Sequence, residues 1–393
     1  MTSLQLCPNC GAQPMQIFYA VAGVPVHSVL NMVTRERALN YRRGDIRLGC
    51  CEICGFICNL SFDPTAHEYS LGYEGTQSYS PTFNTFHTRL AQQLIERYDV
   101  HNKHIIEIGC GQGEFLILLC ELGGNQGIGF DPAYDSSRPR DYDPAQVKFV
   151  PDFYSEKYTQ VQGDLVCCKM TLEHIAQTAE FVHMVRRSIA DRLETVVFFQ
   201  VPNASYILQD VAFWDIYYEH CSYFSAGSLA YLFEQSGFEV LNLMTEYDDQ
   251  YLTIEAKPLA SARPISAETR QAVAETRQAV NRFIEAYPSI LQGWERTFER
   301  LKNEGKRVVT WGGGSKAVAF LTTLAGSDVV RYAVDVNPYR RGTFLAGVGQ
   351  EIVGPEFLRT YQPDVVIIMN PIYCDEIQRT LHEMGLAPQV LTV

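Results

Sequence analysis

The sequence predicts an α/β protein with two doubly wound, mainly parallel sheets and a small cysteine-rich module at the N-terminus. Apolar strand candidates alternate with helical segments between residues 103 and 258, and the alternation returns from residue 307 onward. Such alternation is typical of parallel strands that are joined by crossover helices. The first 60 residues instead carry two Cys-x-x-Cys pairs, which favour a separate metal-binding module.

Three domains are predicted, at residues 1–82, 83–258 and 259–393. The stretch 259–266 contains Pro, Ser and Ala and has the composition of a linker. Beyond it, the spacing of apolar residues predicts one long helix over residues 266–304. A chain of 393 residues is long enough for two or three such domains.

The composition is that of an ordinary globular protein, with 46% hydrophobic and 20% charged residues. The formal net charge of −13 argues against general binding of nucleic acids or anionic membranes, because few basic side chains are available to neutralise phosphates. No apolar run approaches the length of a membrane span, and the N-terminus does not resemble a signal peptide. We therefore expect a cytoplasmic monomer or homodimer that acts on a small molecule.

The N-terminal cysteines form two similar knuckles, Cys7-Pro-Asn-Cys10-Gly and Cys51-Glu-Ile-Cys54-Gly. Four thiolates suit tetrahedral zinc, and a site closed by four sulfurs has a structural role. The 40 residues between the pairs predict an inserted hairpin or loop. A redox-active Cys-x-x-Cys is the alternative, and the presence of two copies disfavours it.

A glycine-rich turn is the clearest binding motif. Residues 105–113 read Ile-Ile-Glu-Ile-Gly-Cys-Gly-Gln-Gly, so that a predicted strand runs into an alternating glycine turn and then a helix. Asp131 ends the next predicted strand and is placed to bind two ribose hydroxyls. The pattern resembles motif I of class I S-adenosylmethionine (SAM) methyltransferases, and a tight turn without a ligand is the alternative. The resemblance implies SAM as methyl donor, S-adenosylhomocysteine as product, and contacts from Glu107, Gly109, Cys110, Gly111, Gly113, Asp131 and Pro132.

Other side chains follow the ends of the later predicted strands, where ligands bind in such sheets. Asp152 and Phe153 follow the third strand, where an acid and an apolar side chain could hold adenine. Lys169 and His174 follow the fourth strand, whose edge commonly faces the methyl donor in SAM enzymes.

A second cluster lies in Tyr217-Tyr-Glu219-His220, which is flanked by aromatic residues that exclude water. A carboxylate beside an imidazole can orient the ring and raise its basicity. A helix cap or core cluster with a satisfied histidine is the alternative.

Further candidates for substrate binding are spread along the chain. A stretch rich in Tyr, Ser and Gly precedes the second predicted domain, and it lines a small-molecule site or forms a surface connection. The third domain has three consecutive glycines at a helix start, where amides and a lysine could hold an anion, although a structural turn fits as well. The candidates are Tyr73, Tyr79, Asn203, Tyr218, Gly313, Ser315, Lys316 and Asn337.

Together these motifs resemble the three-domain SAM-dependent C-methyltransferases of deoxysugars. That family has a zinc domain, a class I SAM domain with a Tyr-x-Glu-His motif, and a Rossmann-like C-terminal domain with Val-Asp-x-Asn-Pro, here Val334-Asp-Val-Asn-Pro338. The resemblance implies a nucleotide-diphosphate keto-sugar as acceptor. It also implies that His220 is the general base, Glu219 orients His220, Tyr217 binds the sugar or enolate, and His174 faces the acceptor. O- or N-methylation of another small molecule, and a non-catalytic SAM- and zinc-binding scaffold, remain the competing hypotheses.

Overall fold

The computed structural model of the chain describes residues 6–66, 73–138 and 141–393. Its strands are β1 (Met15–Pro25), β2 (Arg43–Cys51), β3 (Ile57–Asn59), β4 (His104–Ile108), β5 (Gln126–Phe130), β6 (Val147–Val150), β7 (Leu165–Lys169), β8 (Val196–Pro202), β9 (Ser222–Tyr223), β10 (Phe238–Glu246), β11 (Tyr251–Pro258), β12 (Val308–Trp311), β13 (Val330–Val334), β14 (Glu351–Val353), β15 (Val365–Ile368) and β16 (Gln389–Thr392). Its helices are α1 (Arg35–Leu39), α2 (Pro81–Tyr98), α3 (Glu114–Gly123), α4 (Thr178–Ile189), α5 (Ala204–Gln209), α6 (Ala226–Gln235), α7 (Ala267–Asn303), α8 (Ser315–Thr323), α9 (Leu358–Tyr361) and α10 (Cys374–Glu383).

The central sheet has seven strands in the order β10-β11-β8-β7-β4-β5-β6. The strands from β8 to β6 are parallel, whereas β10 and β11 form an antiparallel edge. The inner strands are buried on both faces, as Ile105, Ile106 and Ile108 of β4 show, because helices cover both sides of a parallel sheet. The predicted α/β fold class is therefore confirmed.

The C-terminal sheet has five parallel strands in the order β14-β13-β12-β15-β16. Its first strand, β12, runs into Gly312, whose φ of +114° lies in the region that favours glycine, and α8 begins three residues later. The layout repeats that of the central sheet, in which β4 runs through a glycine turn into α3.

The N-terminal sheet is antiparallel, in the order β1-β2-β3-β9. The predicted insertion between the two cysteine pairs is the β1–β2 hairpin. The last strand of the N-terminal sheet, β9, comes from the middle of the chain. Ser222 and Tyr223 of β9 pair with Cys58 and Ile57 of β3. The predicted domain boundaries at residues 82 and 258 stay a prediction.

The helix α7 has 37 residues and connects the central unit to the C-terminal one. It begins at the cap residue Ser266, whose side chain accepts a hydrogen bond from the Thr269 amide. Near its start it packs closely on α6, since a Cβ on Gly227 would lie 2.5 Å from the Val273 nitrogen. Phe298 and Leu301, near its end, are fully buried in the core that includes β12 and α8. Within the described parts of the chain, no helix is both long and apolar enough to cross a bilayer.

Candidate active site

A single cavity of about 630 Å³ lies between the carboxyl ends of the two parallel sheets. One wall includes Gly109 and Asp131 at the ends of β4 and β5, and the opposite wall includes Gly312 and Asp335 at the ends of β12 and β13. The volume falls in the range of about 300–1,000 Å³ that is usual for small-molecule sites. Both binding edges predicted from the sequence therefore face one chamber.

The glycine turn after β4 requires its glycines. Gly109, Gly111 and Gly113 have φ values of +69°, +55° and +88°. A Cβ on Gly109 would lie 2.1 Å from the Thr171 hydroxyl, and one on Gly113 would lie 2.3 Å from the Phe149 ring. The turn thus packs tightly on one side and opens to the cavity on the other.

Asp131 is held against this turn by two backbone amides. Its Oδ2 accepts a hydrogen bond from the Gly111 amide at 2.8 Å, and its Oδ1 accepts one from the Ala133 amide at 2.7 Å. A carboxylate oxygen can accept a second hydrogen bond, so both oxygens can also bind a pair of hydroxyls. Burial raises the pKa of Asp131, and these two amides oppose that shift.

Glu107 and Lys169 lie deeper in the same wall. Lys169 Nζ donates a hydrogen bond to Gln200 Oε1 at 2.7 Å and lies 4.8 Å from the centre of the Phe115 ring. Burial raises the pKa of Glu107 and lowers that of Lys169, while the electrostatic attraction between the two groups opposes both shifts.

The residues predicted to hold adenine also line the cavity. Asp152 accepts hydrogen bonds from Lys157 and from the Tyr158 hydroxyl, and these bonds lower its pKa. The Phe153 ring is 60% exposed and lines the cavity, so it offers an apolar face to a ring that enters there. Cys110 and Pro132 also line this part of the cavity.

A cluster of two histidines and a glutamate lines the cavity between the two sheets. His174 Nδ1 lies 3.0 Å from the Glu219 carbonyl oxygen, and the His174 and His220 rings meet edge to face at 4.9 Å. Burial lowers the pKa of His174 to about 4, so this ring is neutral at neutral pH. Tyr217 packs its ring 4.1 Å from that of His220, and burial raises the pKa of its hydroxyl.

The carboxylate that lies beside His220 differs from the sequence prediction. Glu219 points to the N-terminal unit, where it accepts a hydrogen bond from Ser28, and Ser28 also contacts Ser315 at 2.7 Å. Glu173 instead places Oε1 4.0 Å from His220 Nε2. The role predicted for Glu219, orienting His220, stays a prediction, while the observed partner of the Glu219 carboxylate is Ser28.

The edge of the C-terminal sheet repeats the contacts of Asp131. Asp335 Oδ2 accepts a hydrogen bond from the Gly313 amide at 3.0 Å, and Oδ1 accepts one from the Asn337 amide at 2.9 Å. Lys316 Nζ lies 2.5 Å from Asp215 and 3.2 Å from Gln250 Oε1. Asp335 was not among the predicted site residues, although it lies inside the Val-Asp-x-Asn-Pro motif.

Five predicted substrate residues line the cavity in this region, namely Tyr73, Tyr79, Ser315, Lys316 and Asn337, and Asn203 lines it from the central sheet. The Asn203 side chain also caps α5 and donates to the Asp249 carbonyl.

Tyr218 is a correction to the sequence prediction. It is 2% exposed, its hydroxyl accepts a hydrogen bond from the Asp63 amide, and its ring lies against Phe62, away from the cavity. It packs the N-terminal unit onto the central one.

Glu74 is a residue that the sequence pattern did not reveal. It is 1% exposed, and its carboxylate accepts hydrogen bonds from Arg138 at 2.6 Å and from Asn337 at 3.0 Å. Arg340 donates to the Glu74 carbonyl and to the Gly313 carbonyl. These contacts connect the cavity wall around Glu74 to both sheets. The sequence did not reveal Glu74 because its partners, Arg138, Asn337 and Arg340, are distant from it along the chain and form no local motif with it.

The four predicted metal ligands come together at the N-terminus. The sulfurs of Cys7, Cys10, Cys51 and Cys54 all lie within 4.8 Å of one another. The Cys7–Cys54 and Cys10–Cys51 sulfur distances are both 3.6 Å. Four sulfurs at about 2.3 Å from a tetrahedral zinc ion would lie about 3.8 Å apart, so the donor set fits this metal.

Two family models match the chain in sequence. Residues 83–243 match a methyltransferase domain, and residues 254–387 match a C-methyltransferase C-terminal domain. The chain is thus a SAM-dependent methyltransferase that also carries a C-methyltransferase C-terminal domain. Among curated proteins, the C-methyltransferase NovU of Streptomyces niveus is 25% identical over 286 residues, which are 70% of this chain and 67% of that protein.

Solved structures of methyltransferases are also similar to this chain. A SAM-dependent methyltransferase from Mesorhizobium loti is 14% identical with a TM-score of 0.32, over 42% of this chain and 97% of that one. The riboflavin-analogue dimethyltransferase RosA from Streptomyces davawensis is 16% identical with a TM-score of 0.35, over 45% of this chain and 56% of that one.

Proposed function

We propose that the enzyme methylates the carbon next to a ketone in a keto-deoxysugar that is attached to a nucleoside diphosphate. The observation that supports this most is the shared cavity, in which the SAM motif, the Tyr217 and His220 pair and the C-terminal sheet edge line one chamber. A methyl donor on one side and an acceptor on the other would then meet beside His220.

Within this proposal, bound SAM supplies an electrophilic methyl group. His220 removes the proton from the acceptor carbon, because a neutral imidazole is a suitable base near neutral pH for a carbon acid that is activated only by its carbonyl. Tyr217 hydrogen-bonds the sugar or the enolate oxygen. The Phe153 ring and Asp131 would hold the donor, and holding donor and acceptor together in one cavity would favour the transfer.

The nucleotide part of the acceptor is assigned to the C-terminal sheet edge. Asp335 makes the same two amide contacts as Asp131, so both its oxygens can accept hydrogen bonds from hydroxyls of a sugar. The start of α8, with Ser315 and Lys316, offers amides and a cation for phosphate oxygens. Lys316 would exchange its contact with Asp215 for the phosphate.

The base is tested with His220→Ala. We expect this variant to lose methyl transfer. We also expect it to lose deuterium wash-out at the acceptor carbon, which is measured in the absence of SAM. Its affinity for S-adenosylhomocysteine should be unchanged. His183→Ala, on α4 and outside the cavity, is the matched control and keeps the wild-type rates. Wash-out that persists near the wild-type rate in His220→Ala would rule out His220 as base, and a product methylated on oxygen or nitrogen would rule out carbon methylation of this substrate.

The acceptor class is tested by thermal unfolding with nucleotides and nucleotide sugars in the presence of S-adenosylhomocysteine. A ligand at 100 times its dissociation constant adds about 2.7 kcal/mol to the free energy of unfolding, which is easily measured. If none of these compounds raises the melting temperature, the nucleotide-sugar assignment is wrong, while C-methylation itself stands.

We also propose that the four N-terminal cysteines hold one structural zinc ion. The support is the closed set of four sulfurs at distances suited to tetrahedral coordination. A cytoplasmic location belongs to this proposal, because none of the twelve cysteines, all of which lie in the described residues, pairs in a disulfide.

A further inference from the structure

Glu173 is a buried carboxyl group at the centre of the catalytic wall. Its side chain is 2% exposed, and it lines the cavity from the short 3-10 turn after β7. Its Oε1 lies 4.0 Å from His174 Nε2 and also 4.0 Å from His220 Nε2. Both distances exceed hydrogen-bond length, so neither contact is a hydrogen bond, and all three side chains line the cavity that an acceptor would enter.

The hydrogen bond of His174 determines what this ring can do toward that space. A carbonyl oxygen can only accept, so His174 Nδ1 carries the proton that it donates to Glu219. The Nε2 atom of the neutral ring then carries a lone pair and no proton. His174 can accept a hydrogen bond there but cannot donate one to a carbonyl oxygen of the acceptor.

A reaction through an enolate needs a base at the carbon and a hydrogen-bond donor at the neighbouring oxygen. The carbon and the oxygen are separated by two bonds, so the base and the donor must lie side by side. Glu173 and His220 meet this requirement.

We propose that the Glu173 carboxyl group donates a hydrogen bond to the carbonyl oxygen of the acceptor while His220 removes the proton from the adjacent carbon. The inference rests on the proposed function and assigns a second catalytic residue to it. As the C–H bond breaks, its electron pair forms the enolate double bond and the carbonyl pair moves onto oxygen. Glu173 stabilises that oxygen and keeps its proton.

The second half of the reaction returns Glu173 to its starting state. The enolate carbon forms a bond to the methyl group, the S–CH3 bond breaks, and its electron pair stays on sulfur. The carbonyl group is restored, and the proton on His220 passes to solvent. Glu173 needs only to remain protonated throughout.

The surroundings of Glu173 favour the protonated form. Burial raises the pKa of Glu173 to about 8, and the positive charge of Lys169 opposes the shift. The groups that face the carboxyl from neighbouring elements are Tyr73, Cys168, Lys169, His174, His220, Cys221 and Tyr251. A donor must hold its proton, so activity is present below this pKa and falls as the pH rises through it.

Three variants test the inference, with deuterium wash-out at the acceptor carbon as the readout. We expect Glu173→Ala to lower the wash-out rate about 10²–10³-fold, as the loss of an oxyanion donor does in other enzymes. Glu173→Gln keeps an N–H donor and the side-chain shape, so it should retain more activity and lose the fall in rate at alkaline pH. The affinity for S-adenosylhomocysteine should be unchanged in both.

The third variant is the control Glu255→Gln, which also removes a buried carboxylate, here one that pairs with Arg97 outside the cavity. It should lower stability without changing the wash-out rate or its pH profile. Wash-out near the wild-type rate in Glu173→Ala overturns the inference and leaves the proposed function intact, whereas a wild-type enzyme without wash-out overturns the proposed function itself. A second metal ion per chain that is lost in Glu173→Gln would also overturn the inference, since the three side chains would then be metal ligands.

Discussion

The glycine turn after β4 gives a matched pair of substitutions that separate fold stability from cofactor binding. Gly109 and Gly111 are two residues apart, and both have positive φ values, +69° and +55°. A Cβ at Gly109 would meet Thr171 Oγ1, Cγ2 and Cβ at 2.1, 2.6 and 2.8 Å. A Cβ at Gly111 would have no described atom within 4 Å, and it would stand at the edge of the cavity.

The expected magnitudes follow from these contacts. Both alanines incur the cost of a left-handed backbone, about 1–2 kcal/mol. Only Gly109→Ala adds overpacking against Thr171, which costs about 1–3 kcal/mol more. We therefore expect Gly109→Ala to lower the free energy of unfolding by about 2–5 kcal/mol, and Gly111→Ala by about 1–2 kcal/mol.

Binding should rank the two variants in the opposite order. The methyl group of Gly111→Ala would enter the cavity where the donor is proposed to bind, so we expect at least about a tenfold loss of S-adenosylhomocysteine affinity, or about 1.4 kcal/mol. Urea unfolding and isothermal titration calorimetry measure the two quantities. Adding Thr171→Ala to Gly109→Ala removes the two closest atoms and should restore part of the stability. Equal stability of the two single variants would refute the steric argument.

Two further predictions concern the sheet edges and the metal. Asp131→Asn should weaken S-adenosylhomocysteine binding by about 10–100-fold, because it weakens hydrogen bonds to a charged group. Asp335→Asn should weaken acceptor binding alone. If calorimetry shows that either variant loses affinity for both ligands, the donor and the acceptor do not bind at separate sheet edges. Metal analysis should find one zinc ion per chain. Cys51→Ser or removal of the metal by a chelator should make residues 6–66 sensitive to proteolysis. If the protein without zinc resists proteolysis as well as the untreated protein does, the zinc ion has no structural role.

The sequence was most informative where structure is local. The strands predicted before the glycine turn, before Asp131 and before Asp152 are observed as β4, β5 and β6, because short apolar runs that end in glycine or acidic residues are self-contained signals. β10, β14 and β16 were not predicted. They lie at or near the sheet edges and are less buried than the inner strands, so no continuous apolar run marks them.

The active site was predictable in its motifs and less so in its contacts. Asp131 and the glycine turn lie in one βαβ unit, whose geometry is the same wherever it occurs. The partner of His220 was assigned to Glu219 because the two are adjacent in the chain. The structure also brings the Glu173 carboxylate to 4.0 Å from His220, from a turn 47 residues earlier, and a single sequence holds no signal for such a long-range approach.

The pairing of β9 with β3 has a consequence for how such enzymes diversify. Tyr223 extends the N-terminal sheet, yet it lies three residues after His220 and its hydroxyl bonds the backbone of Tyr217. The cysteine module and the turn that carries Tyr217 and His220 thus meet in one sheet. A chimera that imports residues 6–66 from a relative must import residues 217–225 with them, so recombination between lineages is constrained to exchange these two segments as one inherited unit.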